Sequence, residues 1–173
     1  YDNIIREELH KNVDGYRLST FLFKDKNGKL NAGPIWDFNL GYGNANYARA
    51  WESTGLQMYT DLGADNWQIP FWWQGLLSDS YFCNSLRCNW DELRENTLSN
   101  ENITTVIDSL VNLLKYPAVR NFNRWQIIGD YVWPNYFVGA TYAKEIDWMK
   151  SWLTDLLRWL DFAMPGDCSQ LTG

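Results

Sequence analysis

Apolar residues along this chain change period twice, and the changes divide it into a short mixed front and a long helical body. Ile4, Ile5 and Leu9 keep the spacing of one helix face, predicting a helix over residues 2–11 that stops at Asn12 to Gly15. Asp14-Gly15 is a turn signal there. The stretch from Tyr16 to Phe23 is rich in aromatic and β-favouring residues and reads as a strand. Asp25-Lys26-Asn27-Gly28 then supplies the positive φ of a tight hairpin turn, and Lys29 to about Ile35 returns. From Phe38 to Asp65 the pattern dissolves into a glycine- and asparagine-rich loop, long enough to suggest a function of its own.

Beyond that loop the apolar spacing is helical. Helices are expected over residues 67–77, 80–94 and 99–114, the last capped by Ser99 or Asn100 with Ile103, Val106, Ile107, Leu110, Leu113 and Leu114 on its inner face. Pro117 to Trp125 reads as a separate short helix, and a linker through Trp133-Pro134 follows. A final helix is expected from Tyr142 to Phe162, with Thr141 as N-cap and Met164-Pro165-Gly166 as its stop. Its buried stripe is Ile146, Met149, Leu153, Leu156, Leu157 and Leu160. The fold class is α+β, predominantly α: one β-hairpin feeding a helical body, read as a single domain or lobe over residues 1–173.

Composition narrows the function. Of 173 residues, 46% are hydrophobic and 21% charged, which describes a chain with a core rather than a disordered one. A net charge of -6 and scattered Lys and Arg argue against a nucleic-acid partner. No apolar run is long enough to span a membrane. Cys83, Cys88 and Cys168 are too few for a zinc site and read as buried thiols, with a disulfide to Cys168 open in an oxidising compartment. His10 is the single histidine, in a polar helical run, and reads as a surface residue, so Ser-His or Cys-His nucleophilic catalysis has little to build on. Asn102-Ile103-Thr104 matches a glycosylation sequon, a weak pattern at a helix start. Eleven Trp are unusual. Trp72-Trp73 reads as core packing, while Trp51, Trp67, Trp72, Trp73 and Trp133 together leave open a carbohydrate-binding module.

Two carboxylates offer sharper chemistry. A four-residue hairpin loop would pair Lys24 with Lys29 and bring Asp14 and Asp37 to the open end, about two residues out of register, or roughly 7 Å along the strand. One acid can take a proton from an attacking hydroxyl while the other holds a divalent ion against nucleotide phosphates, which is most of what phosphoryl transfer requires. Ser19 and Asn39 stand near as further oxygen ligands, and Arg17 as the basic side chain next to Asp14. Turn-forming and capping are the plain alternatives for both acids.

The segment Glu8-Leu9-His10-Lys11-Asn12-Val13-Asp14, then Trp36-Asp37-Phe38-Asn39-Leu40-Gly41-Tyr42-Gly43-Asn44, resembles the two core motifs of the CotH (spore-coat protein H) kinase family. The resemblance continues through Asn66 to Gln74 and on to Leu160-Asp161 and Met164-Pro165. It implies the C-terminal portion of an atypical protein kinase fold, ATP and Mg²⁺ or Mn²⁺ as cofactors, and a protein substrate with a Ser or Thr acceptor. Asp14 would be the catalytic-loop acid; Asp37 would bind metal with Ser19 and Asn39, and Arg17 would contact phosphate. Position 19 is Ser where ordinary kinases have a metal-binding Asn, and position 39 is Asn where the family motif has a second Asp. Those changes also fit a non-catalytic relative acting as a binding or structural module. An N-terminal lobe with its phosphate-gripping Lys would lie outside this chain, since Lys24, Lys26 and Lys29 sit at the hairpin turn. Export or a cell-surface location would belong to the full-length parent.

Overall fold

The computed structural model describes residues 1–171. It is α+β with helix dominant, in the order α1 (Asp2–His10), β1 (Leu22–Lys24), β2 (Leu30–Ala32), α2 (Phe71–Leu76), α3 (Ser80–Glu95), α4 (Asn100–Arg124) and α5 (Tyr142–Ala163). Short 3-10 turns occur at Gln57–Tyr59 and Cys168–Leu171. No helix among the described residues is long and apolar enough to cross a membrane.

The core forms where α1, α3 and α5 meet. Leu153, Leu156, Leu157 and Leu160 of α5 pack with Leu86 and Trp90 of α3, Ile4 and Ile5 of α1, and with Tyr16, Met58 and Trp73. The C-terminal half of the expected α5 stripe is therefore its buried part, whereas Met149 packs only partly buried against the core. Trp73 is buried as expected and donates its indole N–H to the Tyr16 carbonyl at 2.9 Å. Side-chain caps set three helix starts: Asp79 accepts from Phe82, Ser99 from Asn102 and Thr141 from Lys144. Asp161, next to the end of the α5 stripe, accepts from Arg94 and Trp90 and so ties α5 to α3.

Several expectations are corrected. The strand expected over residues 16–23 exists only at Leu22–Lys24. Tyr16 is 1% exposed, with its hydroxyl donated to the buried Glu8 carboxyl, so the chain turns inward at residues 13–18 before any strand begins. Lys24 pairs with Leu30, one residue beyond the expected Lys29, because the turn closes by Gly28 N–H to the Asp25 carbonyl and leaves Lys29 unpaired. The helix expected over residues 67–77 shrinks to Phe71–Leu76 behind Pro70, which disfavours helical geometry in Ile69. In contrast, α4 runs unbroken through Pro117. The proline removes one backbone donor, and Leu113, whose carbonyl loses that partner, is 72% exposed and open to water. No residue of α4 is fully buried: Ile103 and Ile107 touch the core while Val106, Leu110 and Leu113 are exposed.

Of the two readings open for the cysteines, the structure takes the disulfide for one pair and the buried thiol for the third. Cys88 and Cys168 form a disulfide, and Cys83 alone is a buried free thiol. A spacing of 80 residues hides that pairing in the sequence, whereas the fold lays the Cys168–Leu171 turn directly against α3.

Candidate active site

The C-terminal end of α1 carries the first acid, Asp14, four positions after His10. Lys11 ends the helix in a left-handed conformation, and Asn12, fully buried, follows. Residues 13–18 then form successive turns. The amides of Arg17, Leu18 and Ser19 converge on the Asp14 carbonyl at 3.1, 3.0 and 2.9 Å. This fixes the Asp14 backbone tightly, and the buried Ser19 with it.

The second acid comes back to the same place by mooring on α1. Tyr42 N–H donates to the His10 carbonyl at 2.7 Å, and Phe38 packs edge-on to the His10 ring. His10, expected at the surface, is instead held between Phe38 and Tyr42, with burial pushing its imidazole below the ordinary value. The Asn12 amide completes the junction. Its Oδ1 accepts from the Asp14 N–H at 3.3 Å while its Nδ2 donates to the Asp37 carbonyl at 3.4 Å. One side chain thus joins the backbones of both acids. The assembling element is the end of α1 rather than the mouth of the hairpin, whose strand residues are all exposed and pair over three positions only.

The two carboxylates differ in surroundings. Asp14 is mostly buried and faces Arg17, whose Nη2 and Nε lie 2.8 and 3.1 Å from its Oδ1. The same guanidinium binds the Asp65 carboxylate at 2.7 Å and the Trp67 carbonyl at 2.8 Å. Arg17 therefore clasps the Asp14 turn to the loop at 65–67, and a phosphate would have to compete with two carboxylates for it. Asp65, through the Trp67 N–H and then Arg17, is held below its usual range. Asp37 is exposed, and among the described residues nothing hydrogen-bonds its carboxylate. It sits at φ 60°, a left-handed conformation uncommon outside glycine and found disproportionately at functional sites. Asn39 is exposed two residues on, its carbonyl accepting from the Asn44 amide.

Oxygen donors of this kind suit a hard divalent ion that keeps part of its water shell. The Asp37 carboxylate is unclaimed by any partner among the described residues, and Asn39 lies two positions on in sequence. Ser19, by contrast, is buried behind the Asp14 turn. Among the described residues no group of three or more His, Cys, Asp or Glu is gathered as a metal cage.

Beneath the acids lies a layer of buried polar residues that sequence reasoning passed over. Glu8 accepts from the Tyr16 hydroxyl at 2.8 Å and from the amides of Gln57 and Met58 at 2.6 and 3.2 Å. Lys11 donates from Nζ to the carbonyls of Arg49, Glu52 and Thr54 at 3.3, 2.8 and 2.6 Å. Together they lash the loop after Asp37 to α1. A signal was present: Glu8 falls three and four positions after Ile5 and Ile4, on the buried stripe. Beside the site, Tyr47 and Trp133 stack at 6.1 Å, and burial, then the charge of Asp14, raises the Tyr47 hydroxyl. Trp133 is 70% exposed.

A family model described as CotH kinase protein matches residues 1–160. The chain has no significant match among curated proteins or among solved structures.

Proposed function

The chain belongs to the CotH kinase family, and on that premise we propose that it carries the catalytic acids of a metal-dependent phosphoryl transfer from ATP to Ser or Thr of a protein. In this reading residues 1–173 are the C-terminal portion of the kinase domain, corresponding to the C-terminal lobe of an atypical kinase fold. The observation that supports it best is the Asn12 amide, which ties the backbones of Asp14 and Asp37 together although 23 positions separate them. Asp14 accepts the proton of the attacking hydroxyl, and Arg17 orients its carboxylate. Asp37 and Asn39 are the residues to hold a divalent ion, which when bound would offset charge on the nucleotide phosphates, and Ser19 could join them only if the Asp14 turn uncovered it. Arg17 is the candidate phosphate contact, at the expense of an existing ion pair.

That same ion pair favours a second reading. An Asp14 already neutralised by Arg17, with Asn39 and Ser19 at the two altered motif positions, suits a non-catalytic relative that keeps the fold to bind a partner.

Phosphate transfer from labelled ATP by the full-length protein separates the two. With Mg²⁺ or Mn²⁺ present, the kinase reading expects labelling of a protein acceptor or of the protein itself. Asp14→Ala and Asp37→Ala should each reduce it by about a hundredfold or more, the scale of losing a general base or a metal ligand. Labelling that survives both substitutions removes these residues from the chemistry. None at all across several acceptors favours the non-catalytic relative, and a glycan-induced change in Trp fluorescence would favour a sugar-binding surface.

A further inference from the structure

Glu7, like Gln57, is a buried polar residue with an unpartnered side-chain atom, and it is the one that lies against the turn carrying Asp14. It is 2% exposed, and its Oε2 is buried with no hydrogen-bond partner. Such groups are rare in folded chains and call for a reason. The neighbours supply one. A Cβ built on Gly15 would fall 1.8 Å from that Oε2 and 3.2 Å from the Asn12 side chain. The Glu7 carboxyl thus fills the side-chain space of the residue that follows Asp14, and Gly15 is glycine to leave it room. The Asn12 amide lies against the same carboxyl. Asn12 in turn holds the backbones of Asp14 and Asp37.

We infer that Glu7 is a positioning residue for the two acids: its buried carboxyl is wedged under Gly15 and against Asn12, and it props the turn that presents Asp14. The catalytic meaning rests on the kinase reading above; the structural content stands on this chain alone. Glu7 touches no reacting group and acts only through the turn. Burial raises its carboxyl to about 7, Arg6 opposes, Glu8 reinforces and Asn12 opposes, and Tyr16 is the further titratable group within reach. Protonated, Glu7 is a neutral wedge. Ionised, it is a desolvated charge that Arg6 and Asn12 offset only in part, so the prop should weaken as pH rises through neutrality.

Hydrogen exchange on the chain, read at the amides of Gly15, Arg17, Leu18 and Ser19, tests this without relying on activity. After correction for intrinsic rates, protection of these amides relative to α5 should fall as pH rises through 7 in the native chain. Glu7→Ala should lower that relative protection about tenfold at any pH. Glu7→Gln, which keeps the shape but cannot ionise, should restore it and abolish its pH dependence. Gly15→Ala, which drives a methyl into Oε2, should loosen the same amides. Equal protection in every variant, or a native pH dependence retained by Glu7→Gln, overturns the inference. Should a variant unfold, as the α5 amides would report, the NMR titration of the Glu7 carboxyl carbon in the native chain decides. A midpoint near 7 supports the wedge, and one at the ordinary 4.5 removes it. In the full-length protein, phosphate transfer by Glu7→Gln should lose the native decline above pH 7. If the exchange results hold and no transfer is found, the kinase reading fails and the positioning role survives.

Discussion

At the scale of single residues, the site is decided by polar groups taken out of water. Glu8 is the clearest case, a fully buried carboxyl with three donors aimed at it. Glutamine offers one acceptor oxygen where Glu8 offers two, and turns an amide N–H₂ toward a buried donor. Glu8→Gln should therefore destabilise the chain by roughly 1–3 kcal/mol, measured by denaturant unfolding. The deficit should depend on pH in a definite direction. Burial holds the Glu8 carboxyl up at about 7 against an ordinary 4.5, with Gln57, Tyr16, Met58 and Lys11 all drawing it down. Between those values the folded chain keeps a proton that the unfolded chain has released. The contribution of Glu8 is full below pH 4.5 and declines as pH rises to 7. Since glutamine does not titrate, the gap between wild type and variant should be widest near pH 4.5 and narrowest above 7. A gap that widens with pH would mean that Glu8 is ionised in the fold and works as an anion. Asp14 and Asp37 were legible in the sequence because carboxylates beside turns invite attention. Glu7, Glu8 and Lys11 were not, because charged residues on a helix are ordinarily solvated, and only their coincidence with Ile4 and Ile5 on one stripe argues otherwise.

Among elements, what matters is how an irregular loop of this length stays ordered. Residues 37–49 hold four non-glycine residues at positive φ (Asp37, Tyr42, Ala48 and Arg49), each a conformation that needs outside support. The support comes from α1 through Lys11 and His10, and from α5 through Trp152, whose indole donates to the Trp51 carbonyl at 2.8 Å. Gly43 lets the loop reach α5: its φ is 72°, and a Cβ there would lie 2.6 Å from the Trp152 indole nitrogen. Gly43→Ala should destabilise by about 2 kcal/mol or more, from strain and overpacking together. It should also shift Trp emission and loosen the loop before the helices, visible as faster proteolysis between Asp37 and Thr54. Unchanged stability would show that the loop can lift from α5 at little expense. The helical body was legible because α3, α4 and α5 each have a long run of helical spacing and a capping side chain. Registers and breaks were less so. A hairpin of three pairs is set by one turn hydrogen bond, and a proline ends a helix only where its orphaned carbonyl cannot reach water.

Across the whole molecule, one covalent link joins parts that packing alone holds weakly. The Cys168–Leu171 turn ends the described chain, with no buried residue of its own, and lies against α3. The Asp167 N–H donates to Asn84 Oδ1 just before the turn, and Arg87 donates to the Asp161 carbonyl of α5, but both bonds lie at or near the surface. Cys88 and Cys168 close a loop across 80 residues, which contains the rest of α3, all of α4 and all of α5. By chain entropy, a cross-link of that span restricts the unfolded state by about 4–5 kcal/mol, an upper figure for what measured disulfides deliver. A double Cys88→Ser, Cys168→Ser variant should therefore unfold at clearly lower denaturant than the oxidised chain, with little change in its helical spectrum before unfolding. Reduction of the native chain should produce the same shift, while Cys83, buried and raised by its burial, should stay unreactive to alkylating agents until unfolding. Because the link acts mainly on the unfolded state, the hydrogen-bonded junction of Asn12 with Asp14 and Asp37 should keep its exchange protection after reduction. Loss of protection there along with the disulfide would instead mean that the α3–α5 body and the α1 site fold as one unit, so that the compartment's redox state governs the candidate site.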